Sequence, residues 1–539
     1  MKRATLEIVQ TGIAVFNAEI ISLVIKVILA LIPLLPLMAA LWIAIGFIFS
    51  WNRAEIGEKQ TSSVALGAIT LSFLLILVLD AYVIAYGFPS ETIKLGQWLS
   101  SGQYHVDISF LIDYKSLVMA TLIGFITLII TRFSINYLHR EAGFQRFFMM
   151  LSVFSAAMFI ITFSGNAIFT FIGWEMAGVS SYLLIAYSWH RDVATNNATR
   201  AFVTNRIGDA GFLLGIAFSL FWLSTVDWLE MSYVITSKIH IGIILFGFII
   251  AALAKSAQFP FSAWITRALE GPTPSSAVFY GSVMVHAGVY LLLRAEPLLV
   301  QVPSLMIFIL LMGSATVIYA YIVGLVQTDV KSSFMFSTLA QVGLMMIWIG
   351  MGWFELALGH IVVHAVWRAY QFLHAPSFMQ QVERPASPVP KWLNKKTWLY
   401  TAALQRFWLD GISDWLLTKP TRKIANEVQI FDEQVVDRIT GIPSYLNMLS
   451  TLSHWEAQQK GTFTVSNEVG VGRGFFGKSL ELLASMAEFL EEKLILKGSG
   501  EGLLNGMNFV GKYLELVDKL LTQPRYVLVL IIATFVVVL

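Results

Sequence analysis

A charge buried in hydrocarbon costs at least a few kcal/mol, so an ionisable residue inside an apolar run needs a partner, a wet cavity or a task. Several such residues occur in this sequence. Glu175 lies in NAIFTFIGWEMAGVSSYLLIAY, as a step in a proton or ion relay or as a structural hydrogen-bonding group. Arg206 and Asp209, in AFVTNRIGDAGFLLGIAF, are three apart and share a helical face, either serving that relay or satisfying each other as an ion pair. Lys255 precedes Pro260 by five residues in LFGFIIAALAKSAQFPFSAWITRALEGPTPSSA. The proline removes a backbone donor and predicts a broken helix, a feature that commonly marks ion pathways. A lysine there can exchange protons, or it can snorkel to the interface.

The next apolar run, TPSSAVFYGSVMVHAGVYLLLR, contributes Tyr280 and His286. In ALGHIVVHAVWRAYQFLHAPSFM, His360, His364 and Arg368 fall at i, i+4 and i+8 and stack on one face. A metal held by the two histidines would want a carboxylate or thiolate as well, and a cationic Arg368 on the same stripe repels it. The stripe therefore reads as a wet path along which imidazoles hand on protons. The candidate relay is Glu175, Lys255, His286, His360, His364 and Arg368, supported by Arg206, Asp209, Tyr280 and Pro260. No metal site is assigned.

The elements that position these residues follow from composition. Of the 539 residues, 57% are hydrophobic and 13% charged, with a net charge of +2, whereas a soluble domain carries about 25% charged residues. A soluble enzyme, a disordered chain and a basic nucleic-acid binder are excluded, leaving an all-α polytopic membrane protein. The absence of cysteine excludes a disulfide framework, Cys-ligated zinc and iron–sulfur clusters within this chain. No cofactor is expected here. Residues 1–27 read as an amphipathic lead-in rather than a cleaved signal. At roughly 20 apolar residues per crossing, residues 28–380 hold about eleven spans and residues 523–539 one more, about twelve in all. Basic residues gather in alternate loops (Arg53, Lys59, Arg140, Arg146, Arg191, Arg267, Lys331), against Lys94, Lys115, Lys238 and Arg294 in the others. This bias places the first set in the cytoplasm and the N-terminus outside, although Lys2, Arg3 and Lys26 argue the other way.

After Pro390 charges become frequent, and residues 381–522 read as a linker plus amphipathic helices on the cytoplasmic face. These helices lie along the membrane, along a neighbouring subunit, or form a small helical appendage. P-loop, dinucleotide, HExxH and GxSxG motifs are missing, so no bond-making catalytic site is expected.

The runs GWEMAGVSSYLLIAY, AFVTNRIGDAGF, LAKSAQFPFSAWITRALEGPTPSSA, LVQTDVKSSFMFSTLAQVGLM and GHIVVHAVWRA resemble the successive motifs of the proton-conducting, antiporter-like membrane subunits. That family includes the largest antiporter-like subunit of respiratory complex I and the large subunit of Mrp antiporters. The resemblance covers roughly residues 28–380. It implies a fold of inverted helical repeats, a central glutamate (Glu175) paired with a broken-helix lysine (Lys255), and a histidine-lined axis through His360 and His364. It also implies a second broken helix after residue 380. The sequence departs there, running into the charged region, and has Arg368 and Tyr280 where the family pattern has lysine and histidine.

The wordings GPTPSSAVFYGSVMVHAGVYLLLR and RAYQFLHAPSF are most similar to the DabB branch, the membrane subunits of inorganic-carbon accumulation complexes. That resemblance implies a bacterial inner membrane and a large DabA-type partner carrying zinc. Ion flow through this chain would then drive hydration of carbon dioxide to bicarbonate in the partner. The alternatives are a proton-pumping subunit of a complex I-like quinone oxidoreductase or membrane hydrogenase, with its membrane and redox partners, and a membrane scaffold with a vestigial channel.

Overall fold

Lipid offers the backbone no hydrogen bonds, so a chain this apolar must satisfy its amides within helices. The computed structural model describes residues 2–52, 54–89, 91–101, 104–381 and 389–431. Ten helices among the described residues are long and apolar enough to cross a membrane. The chain runs through α1 (Lys2–Ile48), α2 (Ala54–Tyr86), a hairpin of β1 (Ile93–Ser101) and β2 (Tyr104–Phe110), α3 (Tyr114–Tyr137), α4 (Phe144–Phe163), α5 (Ala167–Ile185) and α6 (Asp192–Leu223). A short α7 (Glu230–Tyr233) precedes α8 (Lys238–Lys255). Next come α9 (Thr273–Ser276), α10 (Ala287–Arg294), α11 (Glu296–Leu299), α12 (Pro303–Gly324), α13 (Val330–Gly350) and α14 (Phe354–Gln381).

The expected lead-in is the start of α1, helical without a break from Lys2 into the first span. The expected eleventh span is α14, 28 residues long, whose histidines and Arg368 leave it less apolar than the other ten. The span expected at 523–539 lies outside the described residues. Serine and threonine hydroxyls along α3 and α4 return hydrogen bonds to carbonyls one turn back, as Thr127, Thr131, Ser134, Ser152 and Ser155 do. Buried polar side chains are thus satisfied without leaving their own helix.

Alternate connections meet at one face. There, Glu55 and Glu58 at the start of α2 take Arg140 and His139 from the turn after α3. At the opposite face the β-hairpin, absent from the expected all-helical plan, is laced to the α4–α5 turn. Asn166 caps α5 through Phe169 N and donates to Asp107 O and Ser109 Oγ. On the same face buried Arg294 forks onto Asp113, the N-cap of α3, at 2.5 and 3.1 Å and also contacts Tyr290 Oη. Lys115 meets Glu296 beside it, and Tyr114 donates to Glu355 of α14.

The segment after the proline-rich linker is not a body of its own from residue 381. The compact unit runs to Thr418. Its last elements are α15 (Lys391–Asn394), α16 (Thr397–Leu404) and α17 (Leu409–Ser413). Leu393 and Ala403 pack with Val326 in a small apolar cluster at the end of α12. Asp414 pairs with Arg200 of α6, and Asp410 with Arg267. These carboxylates hold the segment against the spans, which a helix pattern in sequence does not disclose. From Lys419 the chain forms a second unit, of which α18 (Lys419–Phe431) is described.

Candidate functional site

Pro260 has no amide hydrogen, and α8 stops at Lys255. The chain continues as short 3-10 turns (Phe261–Ala263 and Ile265–Glu270) before α9. The expected break is present, and it leaves Lys255 at a helix end, fully buried among α5, α6 and α10.

Three elements build the first polar cluster. From α6, Arg206 reaches Glu175 Oε2 of α5 at 2.5 Å and Asp209 Oδ2 at 2.7 Å. Asp209 accepts a second bond from Trp174 Nε1 at 2.9 Å. Lys255 Nζ donates to the carbonyl oxygen of Trp174 at 3.0 Å and lies 4.9 Å from the centre of its ring. The two residues that the resemblance pairs, Glu175 and Lys255, belong to one cluster and share no direct hydrogen bond in it. Glu175 bonds Arg206, and Lys255 is held by the carbonyl of the neighbouring tryptophan, whose indole N–H bonds Asp209. Arg206 and Asp209 are an ion pair as the spacing allowed, but one that extends to Glu175.

Trp174 was not singled out in the sequence, although its place beside Glu175 was the available signal. A tryptophan offers one N–H and a large polarisable face, so it bonds the carboxylate and faces the ammonium at once.

Gly178 makes room for this arrangement. A Cβ at that position would sit 3.4 Å from both Lys255 Nζ and Arg206 Nη2. The two cations thus flank a helix position that carries no side chain. Gly178→Val is expected to force its methyl groups into both and to separate Lys255 from the Trp174 carbonyl. Proton flux in proteoliposomes should fall to near background while elution on size exclusion stays monodisperse. Flux at the native level in that variant would detach the cluster from transport.

The second cluster lies where the span after the break is itself irregular. Residues Ala277–Ser282 form a π-helical turn and Met284–His286 a 3-10 turn. Such departures free carbonyls from the helical ladder. His286 Nδ1 lies 2.8 Å from Ser282 O, and His286 Nε2 lies 3.1 Å from His364 Nδ1 of α14. A carbonyl only accepts, so these partners assign the tautomers: His286 carries its proton on Nδ1, and His364 carries its own on Nδ1 and donates it to His286 Nε2. His364 Nε2 is then a buried acceptor without a partner in the described structure.

One turn earlier, His360 accepts from Trp348 Nε1 at 3.2 Å and faces Gln341 Oε1 through Nε2 at 2.8 Å. Its ring centre is 6.2 Å from that of His364. One turn later, buried Arg368 donates to Ser337 Oγ at 2.7 Å and stands over Phe334. Gln341, Trp348 and Ser337 all belong to α13 and went unremarked in the sequence.

The expected relay thus falls into two groups. Glu175, Arg206, Asp209 and Lys255 form one; His286, His360, His364 and Arg368 form the other. No side-chain hydrogen bond joins them among the described residues. A bond between neighbouring residues links them: the Ser256 hydroxyl, next to Lys255, donates to the carbonyl of Val285, next to His286. Tyr280 belongs to neither: it is buried against Trp264, and its hydroxyl has no partner in the described structure.

Comparison with known proteins matches residues 164–388 to the family described as NADH:quinone oxidoreductase/Mrp antiporter, transmembrane. Residues 98–148 match the N-terminus of complex I (NADH-ubiquinone oxidoreductase) chain 5. The chain is 33% identical over 362 residues to NAD(P)H-quinone oxidoreductase subunit 5 of Piper cenocladum chloroplasts, covering 66% of this chain and 48% of the relative. It is 33% identical to the organellar chromatophore subunit of the same name from Paulinella chromatophora, covering 66% and 54%. The chain therefore spans about half the length of the curated relatives it matches. Its fold is similar to that of a chain in the Mrp complex from Dietzia sp. DQ12-45-1b, with a TM-score of 0.58, 18% identity, and coverage of 95% of this chain and 63% of that one. Both clusters lie within the longer family match. Over residues 98–388 the chain is thus similar to the complex I subunit 5/Mrp antiporter-like family of membrane subunits.

Proposed function

We propose that this chain is a proton-conducting, antiporter-like subunit of a multi-subunit membrane complex of the complex I or Mrp kind. The observation that carries the reading is the buried Lys255 at a helix break, hydrogen-bonded to Trp174 O and grouped with Asp209, Arg206 and Glu175. A buried amine persists there because protein groups satisfy it and the fold is organised around it. The partners are other membrane subunits of such an assembly. The names of the relatives favour a quinone oxidoreductase-like complex over a carbon dioxide-hydrating one with a DabA-type zinc partner. The coupling ion is a proton, since imidazole, ammonium and carboxylate groups exchange protons, and among the described residues no group of three or more His, Asp or Glu side chains could hold a metal ion.

Purification of the complex from its source in mild detergent, with mass spectrometry of the co-purifying chains, metal analysis and visible absorbance, tests the assembly. Flavin and iron–sulfur chromophores, or Mrp-type membrane subunits, are expected. A single large soluble zinc protein without a redox chromophore would overturn the reading in favour of carbon dioxide hydration. Of the two membrane faces, we assign the one with Arg140, Arg191 and Lys331 to the cytoplasm, on the charge bias of its loops.

A further inference from the structure

Residues 391–418 expose large apolar side chains: Trp398 by 69%, Trp408 by 55% and Trp415 by 72%, with Ile412 and Leu416 alongside. Left in water, such a patch is an aggregation liability, and its presence marks an interaction surface. We propose that this segment lies in the headgroup layer of the bilayer and binds anionic phospholipid, with its tryptophans immersed and Lys391, Lys395 and Lys396 on the phosphates.

Depth favours lipid as the occupant. Phe407 packs on Tyr319, five residues inside the end of α12 at Gly324, about 7 Å below that end at 1.5 Å per residue. Asp414 is held by Arg200, eight residues into α6, about 12 Å along that helix. Arg267, which pairs with Asp410, lies in the turns after the α8 break. Residues 407–414 are therefore set against the flank of the helix ends, while Leu393 and Ala403 pack at the end of α12.

Chemistry points the same way. Tryptophan favours the membrane interface, where its apolar ring and its N–H each find a suitable medium. The three lysines are exposed and cluster at the start of the segment. Near an anionic surface each adds to the attraction. The elements are short and joined by left-handed turns at Arg406, Phe407 and Trp408, so the apolar side chains spread along the surface rather than forming one long coiled-coil seam.

The absence of cysteine makes the test direct. The full chain with Trp398→Cys or Trp415→Cys is labelled with an environment-sensitive fluorophore and placed in nanodiscs containing phosphatidylglycerol. Monodisperse elution establishes that the variants fold. Nitroxide attached to the lipid headgroup is expected to quench both labels several-fold more than aqueous iodide does. Stronger quenching by iodide, meaning a water-facing surface, or protection from both quenchers, meaning a protein-covered one, would overturn the proposal. Replacing phosphatidylglycerol by phosphatidylcholine, or combining Lys391→Gln, Lys395→Gln and Lys396→Gln, should lower lipid quenching at position 398 several-fold. Quenching indifferent to both would remove the anionic headgroup from the proposal.

Discussion

Lys255→Met is expected to reduce proton flux through reconstituted protein to the level of empty liposomes while leaving the fold intact. The substitution conserves length and apolar volume and removes one buried charge. Replacing a whole buried ion pair by apolar groups is often neutral, whereas removing one charge and leaving its partner uncompensated costs about 3 to 5 kcal/mol. Lys255 lies 4.9 Å from the Trp174 ring and bonds a carbonyl rather than a carboxylate. Its removal therefore breaks no direct ion pair. Stability in detergent should fall by less than that, because Glu175 and Asp209 keep Arg206 as their partner, and the variant should still elute monodisperse as flux is lost. Lys255→Arg sharpens the result. Guanidinium keeps the charge but does not release its proton in a protein. Flux should be absent in this variant too. Native flux in either variant would remove Lys255 from the pathway and favour the scaffold alternative.

The second large effect is expected at His364. Its Nδ1 donates to His286 Nε2, and an asparagine places an amide N–H near the same point. His364→Asn should preserve the contact with His286 and leave stability near the native value, yet abolish flux, because an amide neither takes up nor releases a proton near neutral pH. His364→Ala should abolish flux and also destabilise by about 1 to 3 kcal/mol, since the buried His286 acceptor loses its donor. Flux measured by a pH-sensitive dye inside liposomes, together with thermal unfolding of the same preparations, separates the two effects. A conducting His364→Asn would show that protons bypass this pair.

The spans were legible because burial in lipid writes itself as long apolar runs, and the break after Lys255 because Pro260 has no N–H to donate. The three-residue spacing of Arg206 and Asp209, and the four-residue spacing of His360 and His364, placed each pair on one face without reference to any other helix. Which helices then face each other was not legible. Glu175 takes Arg206, and His286 finds His364, across separations in sequence that no local pattern encodes. The β-hairpin escaped because a run such as IKLGQWLSS alternates too weakly to stand out between two spans. The segment through Thr418 looked independent by its charge, yet those same charges, Asp410 and Asp414, fasten it to Arg267 and Arg200. Polar residues announce themselves equally when they face water and when they clamp a neighbour.

The orientation of the two imidazoles has a kinetic meaning. Once His364 Nε2 has taken up a proton, passing the Nδ1 proton to His286 Nε2 returns His364 to a neutral ring and leaves His286 with both nitrogens protonated, its other nitrogen pointing at the Ser282 carbonyl, which cannot carry a proton onward. With the rings fixed, the handover ends in a cul-de-sac. Onward passage demands that His286 turn within a packed core, and that the pair turn back before it accepts another proton. The two histidines would then behave as a turnstile: they admit protons singly, retain the direction of the last crossing until reset, and make the pace of transport a property of side-chain rotation rather than of proton affinity.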